Sequence, residues 1–369
     1  MKAFAFLKRI LLLLAEGVLL LLTMTWLILR FYPPIGNLPG RERRSQYAKR
    51  SNLFYNEKFH NENEYLLMTG SSSPASEQRT ADKTIPVVQV GQIERAEEDT
   101  LTVTWLGHSS LLIQLGKQNI LIDPILSKRT SPVGFAGPKR FSEFPLKPDD
   151  VPEIDVLFLS HDHYDHLDYA TIRAIDAKVH HYVVPLGVDV ILEGWSVSPD
   201  KLHPLAWWQS FELEGSSYTL IPSQHFTGRN PFKNNVTLWG GLYVKDRAHN
   251  VYYTGDTGYY DVFRRVYERF GEIDLMLADS GQYDAAWAQT HMIPEQSVQA
   301  AVDAHARCLI PVHWGSYSLS NHAWYEPAER ATAAAREKSL PLATPKIGQT
   351  IQYEELASCT ERWWERYKE

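Results

Sequence analysis

The sequence predicts a layered α/β protein, rich in sheet with helices on its outside, carried on an N-terminal transmembrane helix. Three observations predict it. Near the start of the chain, Ile10 to Leu29 form an apolar run of about twenty residues, the length a helix needs to cross the roughly 30 Å hydrocarbon core of a bilayer. From residue 101 onward, short apolar runs alternate with turn residues, the pattern of buried strands. Helical stretches fall between many of these runs, which is how a chain covers the outer faces of its sheets.

Taken in order, residues 1–31 read as a membrane anchor. Glu16 and Gly17 interrupt the run, and Glu16 costs about 3 kcal/mol at mid-membrane, which the Leu-rich remainder offsets. A cleaved signal peptide would have a shorter apolar region, and Phe31-Tyr32-Pro33-Pro34 offers no small-residue cleavage pattern. Lys2, Lys8 and Arg9 precede the run, while Arg30, Arg41, Arg43, Arg44, Lys49 and Arg50 follow it, so the positive-inside rule does not choose a side. Residues 32–99 are polar and irregular, with Ser71-Ser72-Ser73-Pro74 and an acidic stretch from Glu94 to Asp99. They read as a juxtamembrane linker with short capping pieces against the body, in which Arg41 to Arg50 either rest on anionic headgroups or lie solvated.

The body, residues 100–369, carries the strand series. Leu101 to Trp105, Leu111 to Leu115 and Asn119 to Ile122 meander, with Gly116-Lys117 as a turn. Val156 to Leu159, Tyr182 to Val184, Tyr218 to Ile221, Leu238 to Val244, Val251 to Tyr253, Ile273 to Leu277 and Leu309 to Val312 continue it. Helices are predicted over Leu167 to Ala177, Tyr260 to Phe270, Pro294 to His305 and Pro327 to Lys338. With 369 residues, 44% of them apolar and 22% charged, the chain has ample core material. A net charge of -7 and the lack of a basic stripe argue against nucleic acid as a partner. Cys308 and Cys359 show no ligand spacing, and Cys308 reads as a small buried hydrophobe.

The densest chemistry is His161-Asp162-His163-Tyr164-Asp165-His166, directly after Val156 to Leu159. Isolated histidines among 14 carry little information, because many are solvated loop residues. Three His and two Asp in six positions are different: without a cation, several titrating groups would crowd together unpartnered. Imidazole and carboxylate suit zinc or a similar first-row metal, and this spacing can serve two ions. A second regularity supports a single site. His225 follows Tyr218 to Ile221, Asp256 follows Val251 to Tyr253, and His313 follows Leu309 to Val312, so each polar candidate sits just past an apolar strand.

The local contexts complete the pattern: Trp105-Leu106-Gly107-His108-Ser109-Ser110, Ile122-Asp123-Pro124, Thr254-Gly255-Asp256-Thr257-Gly258 and Val312-His313-Trp314-Gly315. With the hexapeptide, this set resembles the metallo-β-lactamase superfamily from about Val103 to Trp324. Within it, the chain is most similar to the N-acylphosphatidylethanolamine-hydrolysing phospholipase D group and its bacterial relatives. The resemblance implies a four-layer αββα sandwich and two zinc ions, with Mn²⁺ or Fe²⁺ fitting the same donors. It places His161, His163 and His225 on one ion, Asp165, His166 and His313 on the other, and Asp256 between them. It implies a metal-bridging hydroxide as nucleophile. Asp165 and His291 become the catalytic candidates, His291 as substrate contact or proton donor; a helix-entry histidine before Pro294 is the plainer account of His291. His108 and Asp123 fit the family's motifs as groups that orient ligands. Trp207-Trp208 matches a tryptophan pair of the group, either core or lipid-facing. One stretch departs: Asp279-Ser280-Gly281-Gln282-Tyr283-Asp284-Ala285-Ala286-Trp287 lacks the group's proline and arginine, which loosens the lipid assignment and leaves the metal site untouched.

The expectation is thus a single-pass, membrane-anchored dinuclear zinc hydrolase, at the bacterial inner membrane by its relatives, acting on a phospholipid phosphodiester. A lactone, β-lactam or other carboxylic ester or amide is the alternative substrate. A non-catalytic metal sensor or scaffold is the alternative of another kind, against which an open ligand set and His291 both speak. Nothing in the sequence specifies an oligomeric state.

Overall fold

The computed structural model describes residues 2–95 and 97–368. Helix α1 (Lys2–Phe31) leads into α2 (Arg41–Arg50) and a small hairpin of β1 (Phe54–Tyr55) and β2 (Lys58–Phe59). The body opens with β3 (Leu101–Gly107), β4 (Ser110–Leu115), β5 (Gln118–Ile122) and β6 (Ile154–Phe158), then α3 (Tyr169–Ile175), β7 (Val179–Pro185), α4 (Val188–Gly194) and β8 (Leu202–Leu205). It continues with β9 (Ser210–Leu213), β10 (Ser216–Ile221), β11 (Gly241–Lys245), β12 (Asn250–Tyr253), α5 (Val262–Phe270), β13 (Leu275–Asp279), α6 (Pro294–Asp303), β14 (Leu309–Val312), α7 (Glu326–Lys338) and β15 (Thr350–Gln352).

Two sheets result. One has seven strands in the order β15-β3-β4-β5-β6-β7-β8, the other six in the order β14-β13-β12-β11-β10-β9. The strands inside the two sheets are buried on both faces because both faces are covered, while the edge strands β8, β9 and β15 are partly exposed. Val103, Ile113, Ile120, Val156 and Phe158 of the first sheet pack with Tyr218, Leu242, Val251, Leu277 and Ile310 of the second in one central core. Leu112, Leu121, Leu157 and Tyr182 turn outward onto Ile172 and Ile175 of α3 and Ile191 of α4. On the far side Tyr243, Tyr252 and Met276 meet Phe263 of α5, Val298 of α6 and Ala331 of α7. Helix, sheet, sheet, helix is the predicted αββα architecture. α3 starts one turn's edge later than the periodicity predicts because Asp168 caps it, accepting from the Thr171 N–H at 3.0 Å. The strand expected over Leu238 to Val244 begins at Gly241, since residues 238–240 bond across to the other layer through Leu238 N–H to Leu186 O and Gly240 N–H to Ser160 O.

Strand direction decides where function can sit. β3 pairs antiparallel with β4, β4 with β5, and β5 parallel with β6, so β3, β5 and β6 run the same way. By the same reasoning β10, β12, β13 and β14 share a direction. The C-terminal ends of the two sets are tied where His108 N–H donates to Trp314 O and His313 N–H to His108 O, both at 2.9 Å. Beneath that junction lies an aromatic stack. The Trp105 and Trp314 rings are 4.9 Å apart, Trp314 and Trp363 stack at 5.5 Å, and Trp105 Nε1–H donates to His108 O at 2.8 Å.

Residues 32–95 lie against this body rather than apart from it. At the centre of the basic stretch of α2, Arg43 is not free: it pairs with Asp189 at 2.8 Å and Glu193 at 2.5 Å on α4. Tyr47, Phe54 and Phe59 form an aromatic knot that joins the central core. Ahead of it, none of Phe6–Phe31 of α1 is buried, and its mean hydropathy is 2.2 over a length of about 39 Å, sufficient to span a bilayer.

Trp363 closes the aromatic stack from the far end of the chain, 3% exposed, with Nε1–H donating to Pro345 O at 3.1 Å. Trp363→Ala should cost about 3–5 kcal/mol of stability, read as a lowered thermal midpoint of the body. An unchanged melt would show that the stack does not support the junction.

Candidate metal centre

The polar candidates converge on the shared edge. His161, His163, Asp165 and His166 follow β6, His225 follows β10, Asp256 follows β12 and His313 follows β14. The backbone bends sharply to bring them in. His108, Asp123 and His313 adopt left-handed φ values of 54°, 40° and 70°, each a conformation that costs about 1–2 kcal/mol for a residue with a Cβ.

Two groups of side chains form around Asp256. In the first, His161 Nε2 lies 2.9 Å and His225 Nε2 3.3 Å from His163 Nδ1. The opposite nitrogens of two of these rings are already committed: His225 Nδ1–H donates to Thr290 O at 3.1 Å, and His161 Nδ1–H to Ser160 Oγ at 2.9 Å. Ser160 Oγ–H in turn donates to Asp123 Oδ2 at 2.6 Å, so its oxygen is left to accept. The Nε2 atoms of His161 and His225 therefore carry lone pairs aimed at His163 Nδ1 in a buried space, an arrangement that suits a cation.

In the second group, Asp165 Oδ2 accepts from His108 Nε2–H at 3.0 Å and lies 3.2 Å from His313 Nε2 and 3.4 Å from His166 Nε2. His166 Nδ1–H donates to Asp123 at 2.7 Å, and His313 Nδ1–H to Asp279 at 3.0 Å. Asp256 Oδ2 sits between the groups, 3.1 Å from His166 Nε2 and 3.8 Å from both His161 and His225 Nε2. His166 Nε2 and Asp256 Oδ1 are buried and have no hydrogen-bond partner. A divalent cation in each group fits this donor set.

Proton affinities divide along the same line. Burial holds His161 and His225 well below the ordinary imidazole value and lowers His163 too. Burial also opposes protonation of His166 and His313, but the surrounding carboxylates win. Asp256, Asp165 and Asp123 raise His166 well above its ordinary value, and Asp256, Asp279 and Asp165 raise His313 to about 10. Burial works against ionised Asp165 and Asp256, yet His166 and the other neighbouring imidazoles bring both well below the usual carboxylate range.

His291 reaches the same edge. Its Nδ1–H donates to Asp279 at 3.0 Å, its ring lies 5.3 Å from that of His313, and it lines a cleft of about 410 Å³ over the centre. Asp123 is fully buried and takes hydrogen bonds from Ser160, His166 and Tyr253, so it braces one ligand candidate from each group. His108 contacts Asp165 directly. The tryptophan pair does not face the cleft. Trp207 donates to Trp239 O and packs on the central core, while Trp208 lies under Arg265 and Arg269, because β9 sits at the sheet edge away from the metal loops. The residue that sequence reading missed is Asp279, which holds His313 and His291 together. It ends β13, so the rule that polar groups at strand ends build the site would have found it.

The proton bookkeeping yields a prediction. His166 and His313, with raised values, stabilise the metal-free fold fully below the ordinary 6.5, and His313 loses its share as pH rises toward about 10. A cation must displace those protons, whereas His161, His163 and His225 are already neutral. Titrating Zn²⁺ into metal-free protein at about pH 7.5 should release about two protons per loaded chain, seen as buffer-dependent heats in calorimetry. Heats independent of the buffer would show both rings to be neutral beforehand.

Comparison with known proteins agrees with this geometry. The family model for the β-lactamase superfamily domain matches residues 118–314, just over half of the chain. An uncharacterized protein of Mycobacterium tuberculosis is 37% identical over 263 residues, 70% of this chain and 70% of its own. The N-acyl-phosphatidylethanolamine-hydrolyzing phospholipase D 1 of Caenorhabditis elegans is 32% identical over 279 residues, 72% of this chain and 78% of its own. Among solved structures, a possible metal-dependent hydrolase from Veillonella parvula superposes with a TM-score of 0.55 at 19% identity, covering 68% of this chain and 99% of that one, a likeness of fold. With its αββα layers, its His and Asp cluster at the strand ends and these relatives, the chain belongs to the metallo-β-lactamase superfamily of metal-dependent hydrolases.

Proposed function

We propose that this protein is a membrane-anchored dinuclear zinc hydrolase that cleaves a phosphodiester bond of a phospholipid. The observation that carries the reading is the two-sided cleft. Its floor is His163, Asp165, Asp256 and His313, and its wall includes Leu67, Met68, Phe226, Trp287 and Leu319. A polar, cation-binding floor beneath an apolar wall suits a substrate with a phosphate at one end and an acyl chain at the other. The similarity to the worm phospholipase points the same way.

In this reading His161, His163 and His225 would hold one ion and Asp165, His166 and His313 the other, with Asp256 between the two groups. The bound ions supply Lewis acidity and positive charge for the phosphoryl oxygens. The chain's own groups do the rest. Asp165, ionised at the start, accepts the hydrogen bond of the attacking water and takes its proton as the water oxygen bonds to phosphorus and the bond to the leaving oxygen breaks, then releases that proton to solvent. His291, held through Nδ1 by Asp279, presents its other nitrogen to the leaving alkoxide and hands it a proton.

The anchor's attachment supports a lipid substrate. Just past α1, Tyr32 O–H donates to Pro132 O, Trp195 Nε1–H to Pro33 O and Arg229 Nε–H to Pro34 O, each at 2.7 Å. This fixes the exit of the helix beside loop 127–138, whose Thr130 and Pro138 line the cleft. Phe135 and Phe232, 84% and 72% exposed, stand on loops next to that exit, with Lys139 and Lys233 nearby. Apolar tips with basic neighbours suit the interface of an anionic bilayer. Tethering then raises the local concentration of membrane substrate.

Zinc-loaded full-length protein should turn over a phosphodiester reporter and release a phosphorylated headgroup or phosphatidic acid from lipid vesicles, identified by mass spectrometry. His291→Ala should lower kcat by about 10²–10⁴-fold with its metal content intact, and Asp256→Ala should abolish turnover. Hydrolysis of a lactone panel without phosphodiester turnover would sink the proposal. Equal activity of the natural protein and Asp256→Ala would also sink it.

A further inference from the structure

We propose that Asn61 is a positioning residue of the metal centre, holding the backbone of His225 from a segment outside the matched stretch 118–314. The contact is a two-point clamp. Asn61 Nδ2–H donates to His225 O at 2.8 Å, and Asn61 Oδ1 accepts the His225 N–H at 3.1 Å. Both backbone polar groups of His225 thus pair with one side chain that is itself 9% exposed.

His225 needs such a hold. β10 ends at Ile221 and β11 begins at Gly241, so its loop has no sheet ladder to fix it. Its ring is fixed only at the far nitrogen, by Thr290 O, while Nε2 faces His163. A peptide free to rotate would swing that nitrogen out of the group. Asn61 is rigid enough to prevent this, because Phe59, two residues earlier, is fully buried in the knot with Tyr47 and Phe54, and its N–H donates to Asn235 O at 2.7 Å. The same segment runs on to Leu67 and Met68 on the cleft wall, tied down where Leu66 N–H donates to Gln289 Oε1 at 2.7 Å. The stretch between anchor and body is part of the site.

The inference rests on the proposed role of His225 as a ligand, so the test separates the two. Full-length protein in detergent micelles would be loaded with Co²⁺, and affinity measured by chelator competition together with visible absorption. Asn61→Ala should weaken one of the two ions by about 10–100-fold, as expected for loss of a group supporting a ligand, leave the other in place, and alter the absorption of the weakened site. Asn61→Asp keeps the acceptor but loses the donor and should fall between; it carries the comparison if Asn61→Ala does not accumulate. His60→Ala, which removes a ring whose side-chain contacts are with Tyr55, a stack and a 3.2 Å hydrogen bond to its carbonyl, should bind as the natural protein does. Natural affinity and spectrum in Asn61→Ala, alongside impaired binding in His225→Ala, would overturn this inference alone. An equal loss in His60→Ala would also overturn it, and unimpaired binding in His225→Ala would overturn the ligand assignment with it.

Discussion

A buried imidazole keeps its lone pair aimed inward only while its opposite nitrogen is committed elsewhere, and the whole centre depends on that commitment. Asp123, Asp279, Ser160 and the Thr290 carbonyl provide it for His166, His313, His161 and His225. Asp123 and Asp279 lie at the ends of parallel-running strands in the two sheets, so the sheets themselves set the spacing of the ligand candidates. The aromatic stack of Trp105, Trp314 and Trp363 then locks the junction between His108 and His313 from below. Packing, strand direction and hydrogen bonding act on the same few atoms.

Much of this was legible in the sequence because its signals are local. A buried strand shows as an apolar run, and a ligand candidate shows as the polar residue that ends it; that pairing located the hexapeptide, His225, Asp256 and His313. The edge strands β8, β9 and β15 were not legible, since they carry few consecutive apolar residues: Leu202–Leu205 contains His203 and Pro204, and Thr350–Gln352 holds one buried residue. Asp279 escaped for a different reason. Its role is a contact with His291 and His313, across 12 and 34 residues, and only the fold brings them together. The fate of α2 was hidden likewise, because the partners of Arg43 lie on α4.

The division of proton affinities within one centre follows from where the carboxylates stand. For His161, His163 and His225 burial and the crowding of other imidazoles outweigh the pull of Asp256 and its neighbours, so all three are held low. His166 and His313 are ringed by Asp123, Asp165, Asp256 and Asp279. Two halves that look alike as candidate ligand sets are thus electrostatically unlike: a cation would enter the first directly and would have to displace a proton in the second.

The left-handed backbone at His108, Asp123 and His313 has its own consequence. Each of these positions would be more comfortable as glycine, so a chain selected for stability alone would drift toward Gly there and dissolve the site. The edge where the sheets meet is therefore a standing debt against the fold's stability, about 1–2 kcal/mol at each of the three positions. A superfamily member that had given up chemistry would be recognisable by the relaxation of those turns before any loss of its layers.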